Sequence, residues 1–137
     1  MKPQDFSKSS SPRANASDTP LLGSLHRSKL WFDPTYGRDF LQATGHWDWA
    51  VGNPPLSQFR AFLQKAMQVA HNVVFIGLAP AWIVRVRRED MRRARLALVE
   101  LCALPIPRDW PQFGIELTAG WARRGWQGSI AHTRLHA

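Results

Sequence analysis

From Trp47 to Leu104 the chain alternates short apolar runs with amphipathic ones. Trp47-Asp48-Trp49-Ala50-Val51 is apolar except for Asp48, the pattern of a parallel-sheet strand covered on both faces. It stops at Gly52-Asn53-Pro54-Pro55, where the glycine lets the backbone turn and the prolines fix φ and remove two amide donors. Phe59, Phe62, Leu63, Ala66, Met67 and Ala70 then recur at helical spacing, with Gln58, Arg60, Gln64, Lys65 and Gln68 on the opposite face and Ser57 as the expected N-cap. A second buried strand follows at Val73-Val74-Phe75-Ile76-Gly77-Leu78. Strand, helix and strand in that order predict a right-handed βαβ unit.

Past this unit the pattern predicts a connection, Ala79-Pro80-Ala81-Trp82, at the same sheet edge as Asn53 and able to wall a pocket there. Ile83 to Arg95 reads as one further helix, and Ala97 to Leu104 as a strand ended by Pro105 and Pro107. Phe113 to Trp121 alternates as a half-buried strand does, so the last two strands are expected to pair antiparallel at a sheet edge. Arg123-Arg124-Gly125-Trp126 is a basic turn leading to an edge strand and a tail at 134–137. At the other end, residues 1–20 are rich in Ser and Pro and poor in aliphatic side chains, the composition of a disordered tail. Leu21 to Lys29 is a transition, and Leu30 to Pro34 is a short strand or a loop. The expected domain therefore runs over 21–133, in the α/β class.

Composition changes this picture in a few places. The 137 residues suffice for one domain, and seven tryptophans are ample for its core. A net charge of +8 favours a polyanionic partner such as nucleic acid, and serves solubility equally well. The densest basic patch is Arg85, Arg87, Arg88, Arg92 and Arg93, with Arg95 just beyond. It reads either as a phosphate-contacting face or as a solvated one in which Glu89 pairs with Arg92 or Arg93. Cys102, the single cysteine, sits in an apolar run and is expected to be buried. No apolar stretch is long enough to span a bilayer and no leader-like segment opens the chain, so a cytoplasmic protein is expected. His132 and His136 read as an exposed pair, and His71 falls at the amino-terminal edge of its strand. Neither a metal spacing nor a Gly-x-Ser-x-Gly elbow is present.

Ligands of open α/β sheets bind beyond the carboxyl ends of the strands, which is where Asn53-Pro54-Pro55 lies. The Asn53 side-chain oxygen and the Pro54 carbonyl are two acceptors that could converge on one amino group. These residues resemble the Asn/Asp-Pro-Pro-aromatic motif of the adenine-specific DNA methyltransferases of restriction–modification systems. The upstream Tyr36-Gly37-Arg38-Asp39-Phe40-Leu41 and Trp47-Asp48-Trp49-Ala50-Val51-Gly52 stand at matching offsets, and a looser likeness runs to about Thr133. The resemblance implies the carboxyl-terminal half of an S-adenosylmethionine-dependent, Rossmann-like catalytic domain, ending in an antiparallel hairpin. It gives Asn53 and Pro54 the acceptor roles toward a flipped adenine, Pro55 a stiffening role, Leu56 the stacking position, and Asp39 and Phe40 a contact with the cofactor adenine.

Two departures follow. Leu56 stands where the family has an aromatic, and no glycine-rich cofactor loop precedes the motif. The expectation is a truncated methyltransferase-like protein, inactive alone, that binds DNA and is completed by a partner chain or by self-association. The alternative is a non-catalytic nucleic-acid- or protein-binding module on the same scaffold, with a decayed, poorly folding product as a third reading.

Overall fold

The Asn-Pro-Pro break and the periodic segments around it set the elements of the computed structural model, which describes residues 39–112 and 114–136. The expected tail, the Leu30–Pro34 segment and Phe113 lie outside the described residues. The chain divides into two units, Met1–Gly45 and His46–Ala137. In the first, the described part is a single 3-10 turn, Phe40–Gln42, capped by the Asp39 carboxylate, which accepts the Leu41 N–H at 2.9 Å.

The second unit is a five-stranded α/β sheet. Its elements are β1 (Trp47–Gly52), α1 (Phe59–Val69), β2 (Ala70–Leu78), α2 (Ala79–Ile83), α3 (Arg85–Arg93), β3 (Leu96–Leu104), β4 (Leu117–Arg124) and β5 (Ala131–Arg134). The strand order is β1-β2-β4-β3-β5. β1 and β2 are parallel, with Val51 opposite Val74, and α1 crosses between them. β4 runs antiparallel to both β2 and β3, and β5 returns parallel to β3. This is a partial Rossmann-like sheet whose crossover pair is followed by an antiparallel hairpin. The hairpin is not at the edge: β4 inserts between β2 and β3, and β5 takes the edge.

The three helices share one face of the sheet. Phe59 of α1 and Trp82 of α2 meet edge-on at 5.3 Å, and Phe59 meets Phe75 of β2 the same way at 6.0 Å. Both Phe59 and Trp82 are fully buried. They can approach because glycine lies beneath each: a Cβ on Gly77 would stand 2.7 Å from the Phe59 ring, and one on Gly120 2.2 Å from the Trp82 ring. Arg60 of α1 then grips Asp90 of α3 through two hydrogen bonds of 2.8 and 3.1 Å. Arg124 at the end of β4 donates to the carbonyls of Ala94, Met67 and Ala70, gathering the carboxyl ends of α1 and α3.

Several expectations change here. β1 is not covered on both faces: Trp49 is 51% and Val51 73% exposed, because β1 is the outer strand of the pair and, among the described residues, the helices lie on one side. On that open side Trp49 stacks obliquely on Trp121 at 5.8 Å. Asn72 ties the two strands, donating to the Asp48 carbonyl at 3.2 Å and accepting the Trp121 indole N–H at 3.0 Å. Cys102 is half-buried rather than buried, since its position in β3 points away from the helices. Ser57 does not cap α1: it lies inside a 3-10 turn, Leu56–Gln58, that leads into the helix. The expected Ile83–Arg95 helix is shorter, Arg85–Arg93, and the expected connection Ala79–Trp82 is itself a short helix running to Ile83; the two part where Val84 is extended (φ −64°, ψ 151°). Trp82 lies in the core and not in a pocket wall.

Candidate functional site

Because β1 and β2 are parallel, Gly52 and Leu78 end at one edge of the sheet. Leu104 and Leu117 meet Leu78 in register, so β3 ends and β4 begins at that same edge. A cavity of about 300 Å³ opens there. One wall is Asn53, Pro54, Pro55 and Leu56 from the loop after β1; Gly77 and Leu78 form the floor. Ile106, Trp110 and Pro111 from the β3–β4 connection, with Leu117 at the start of β4, close the far side.

The loop sorts its acceptors. Pro55 spends its carbonyl on the Gln58 N–H at 2.9 Å, closing the turn into α1. Among the described residues no hydrogen bond engages the Asn53 side chain or the Pro54 carbonyl. Pro54 is buried and Asn53 exposed, so the loop is anchored by one residue and presents the other. Two acceptors, adjacent in sequence and beside an apolar cavity, suit a planar group that carries an N–H₂.

Trp110 was not legible as a site residue. It reaches the cavity because the β3–β4 connection folds on itself: the Trp110 N–H donates to the Pro107 carbonyl at 3.0 Å, and the Gln112 side-chain amide donates to the carbonyls of Pro107 at 3.3 Å and Trp110 at 3.0 Å. The indole stays 43% exposed. A tryptophan between two prolines in a polar connection was the signal available.

Asp39 and Phe40 belong to the other unit. One Asp39 oxygen is committed to the Leu41 amide. The described residues offer no row of glycine amides beside the cavity, whose volume lies at the low end of ligand pockets. They do not fit a base together with S-adenosylmethionine.

The five arginines of α3 fall into two sets. Arg92 donates to Glu89 at 3.1 Å and Arg93 pairs with the same carboxylate at 3.4 Å, and the Arg92 hydrogen bond holds the Glu89 carboxyl below its usual range. Arg85, Arg87 and Arg88 form no ion pair among the described residues. A larger groove, about 640 Å³, lies at the opposite edge beside His46, Asp48, His71 and Arg124. The Arg124 guanidinium there is already engaged by helix carbonyls. No cluster of three or more His, Cys, Asp or Glu among the described residues could hold a metal ion, and none of their helices is long and apolar enough to cross a membrane.

Fold and cavity together define an α/β protein with a partial Rossmann-like sheet and an acceptor-bearing pocket at the carboxyl edge of its parallel strands. No family model and no curated protein sequence matches the chain. The Thermoplasma acidophilum 1320 protein is similar over 63% of this chain and 47% of its own, with 25% identity and a TM-score of 0.42. The M1.HpyAVI–SAM complex is similar over 69% of this chain and 60% of its own, with 13% identity and a TM-score of 0.40. This chain thus spans about half to three-fifths of the length of those two structures.

Proposed function

We propose that the chain is the base-binding part of an adenine-N6 DNA methyltransferase-like domain, of the kind found in restriction–modification systems. The observation that carries this reading is the pair of acceptors, Asn53 and Pro54, uncommitted among the described residues, beside a cavity with room for a base. A base turned out of the duplex would present its exocyclic amine to them. Two acceptors, one of them the carbonyl of a proline, which brings no N–H donor of its own, favour an amine over a ring carbonyl, and they draw the amine protons so that electron density rises on its nitrogen. Trp110 supports the reading from the opposite wall. It offers the aromatic face that Leu56 does not, and such contacts are worth about 1–3 kcal/mol per base. S-adenosylmethionine would supply the methyl group, held by residues other than those around the cavity. The chain alone then binds the base without methylating it.

The absence of an aromatic at Leu56 favours a second reading, a nucleic-acid-binding module without catalysis. Fluorescence anisotropy with a duplex carrying adenine opposite an abasic site tests what both share. Asn53→Ala is expected to lower its preference over the fully paired duplex roughly three-fold, the value of one modest hydrogen bond of about 0.7 kcal/mol. An unchanged preference refutes the pocket. Labelled methyl transfer on adding an extract fraction that restores activity, lost in Asn53→Ala, separates the catalytic reading from the binding module.

A further inference from the structure

We infer that the ridge Ile83–Arg88 is the contact surface for the DNA backbone flanking the Asn53 cavity, gripped through Arg85 and Arg88, and that Arg92 and Arg93 take no part. This rests on the reading of the cavity as a base pocket.

Position comes first. Leu78 lines the cavity, and α2 runs directly from it for five residues to Ile83. At 1.5 Å per residue this is about 7.5 Å, roughly two nucleotide steps along one strand of a duplex. The chain then breaks at Val84, and the break turns side chains outward: Ile83 is 48%, Val84 41% and Val86 39% exposed. Arg85 and Arg88 are exposed between and beyond them.

Charge separates these two from the rest of the helix. Glu89 is taken by Arg92 and Arg93, and Asp90 by Arg60. The first turn of α3 holds no acidic residue. Arg85 and Arg88 therefore form no ion pair among the described residues, Arg85 meeting the Glu89 charge only at longer range, and both sit at the positive end of the helix dipole, an arrangement that an external anion relieves. A guanidinium fork matches phosphate oxygens, and the apolar side chains between the arginines match sugar faces and unstacked base edges. An anionic lipid surface would meet the same chemistry. The cavity one short helix away, whose acceptors suit a base amine, favours DNA.

The test uses the full chain and a fluorescein-labelled, fully paired 20-base-pair duplex, with anisotropy measured across a salt series. Arg85→Gln with Arg88→Gln is expected to weaken binding at least ten-fold at about 0.1 M salt and to flatten the slope of log K against log salt by about two, one per phosphate contact. Arg92→Gln with Arg93→Gln is expected to change affinity less than two-fold, and thermal melts report that both double variants fold. Equal losses in the two pairs, or no loss in the first, overturn the inference. So does equally tight, Arg85- and Arg88-dependent binding to phosphatidylglycerol vesicles. If the arginine dependence holds while the wild type shows no preference for unpaired adenine, the base-pocket reading fails and the ridge stands.

Discussion

Asn53 owes its place to what its neighbours cannot do. Two prolines after it stop both strand and helix, and Pro55 gives its carbonyl to the turn, which leaves Asn53 and Pro54 as the acceptors at the cavity. That much was legible, because turn chemistry is local and a few residues specify it. Trp110 was not, because the register of three strands brings it there, and no local pattern states a register. Gly120 shows the same limit. In sequence it is one small residue in an alternating strand, whereas in the fold its missing Cβ leaves the space in which Trp82 lies on the sheet. Gly120→Ala is expected to cost about 1–3 kcal/mol or more by overpacking, read as a lowered denaturation midpoint. An unchanged midpoint would mean that Trp82 is not seated there.

At the scale of elements, α1 and the strands around it follow the hydrophobic pattern closely, and the departures fall where two tendencies compete. Ile83 to Arg95 has helical spacing throughout, yet the chain is helical there only over Arg85–Arg93, after a separate helix over Ala79–Ile83. Pro80 starts the short first one, and Trp82 must enter the core while the arginines stay in water. The second helix is then held by Arg60 and Asp90. The Arg60 hydrogen bonds, reinforced by the charges of Arg60, Arg87 and Arg93, hold the Asp90 carboxyl below the usual aspartate range against the opposing effect of burial. The folded chain thus keeps Asp90 ionised to lower pH than the unfolded chain does. The stabilisation is fully present at neutral pH and is lost as pH falls through the folded value. Asp90→Asn is expected to lower the melting temperature by a few degrees at pH 7, modest because Arg60 is half exposed. The gap should close as the pH drops below about 4. A gap that stays constant down to pH 2 would contradict the ion pair.

For the molecule as a whole, the βαβ unit and the closing hairpin could be read from strand spacing, but two features could not. Insertion of β4 between β2 and β3 depends on pairings between residues far apart in the chain. The placement of the described helices on one side leaves Trp49 and Val51 in the open, although their run has the composition of a covered strand. Together these features put the ends of β1, β2 and β3 and the start of β4 at one edge, and the cavity between Asn53 and Trp110 follows from that. The most direct measurement compares two duplexes that differ by one group. Each carries a single purine opposite an abasic site, in one case adenine and in the other purine itself, which lacks the exocyclic amine. The adenine duplex is expected to bind roughly ten-fold tighter, the value of two modest hydrogen bonds, and Asn53→Ala to cut that preference to about three-fold. Equal affinity for the two duplexes would contradict the base pocket.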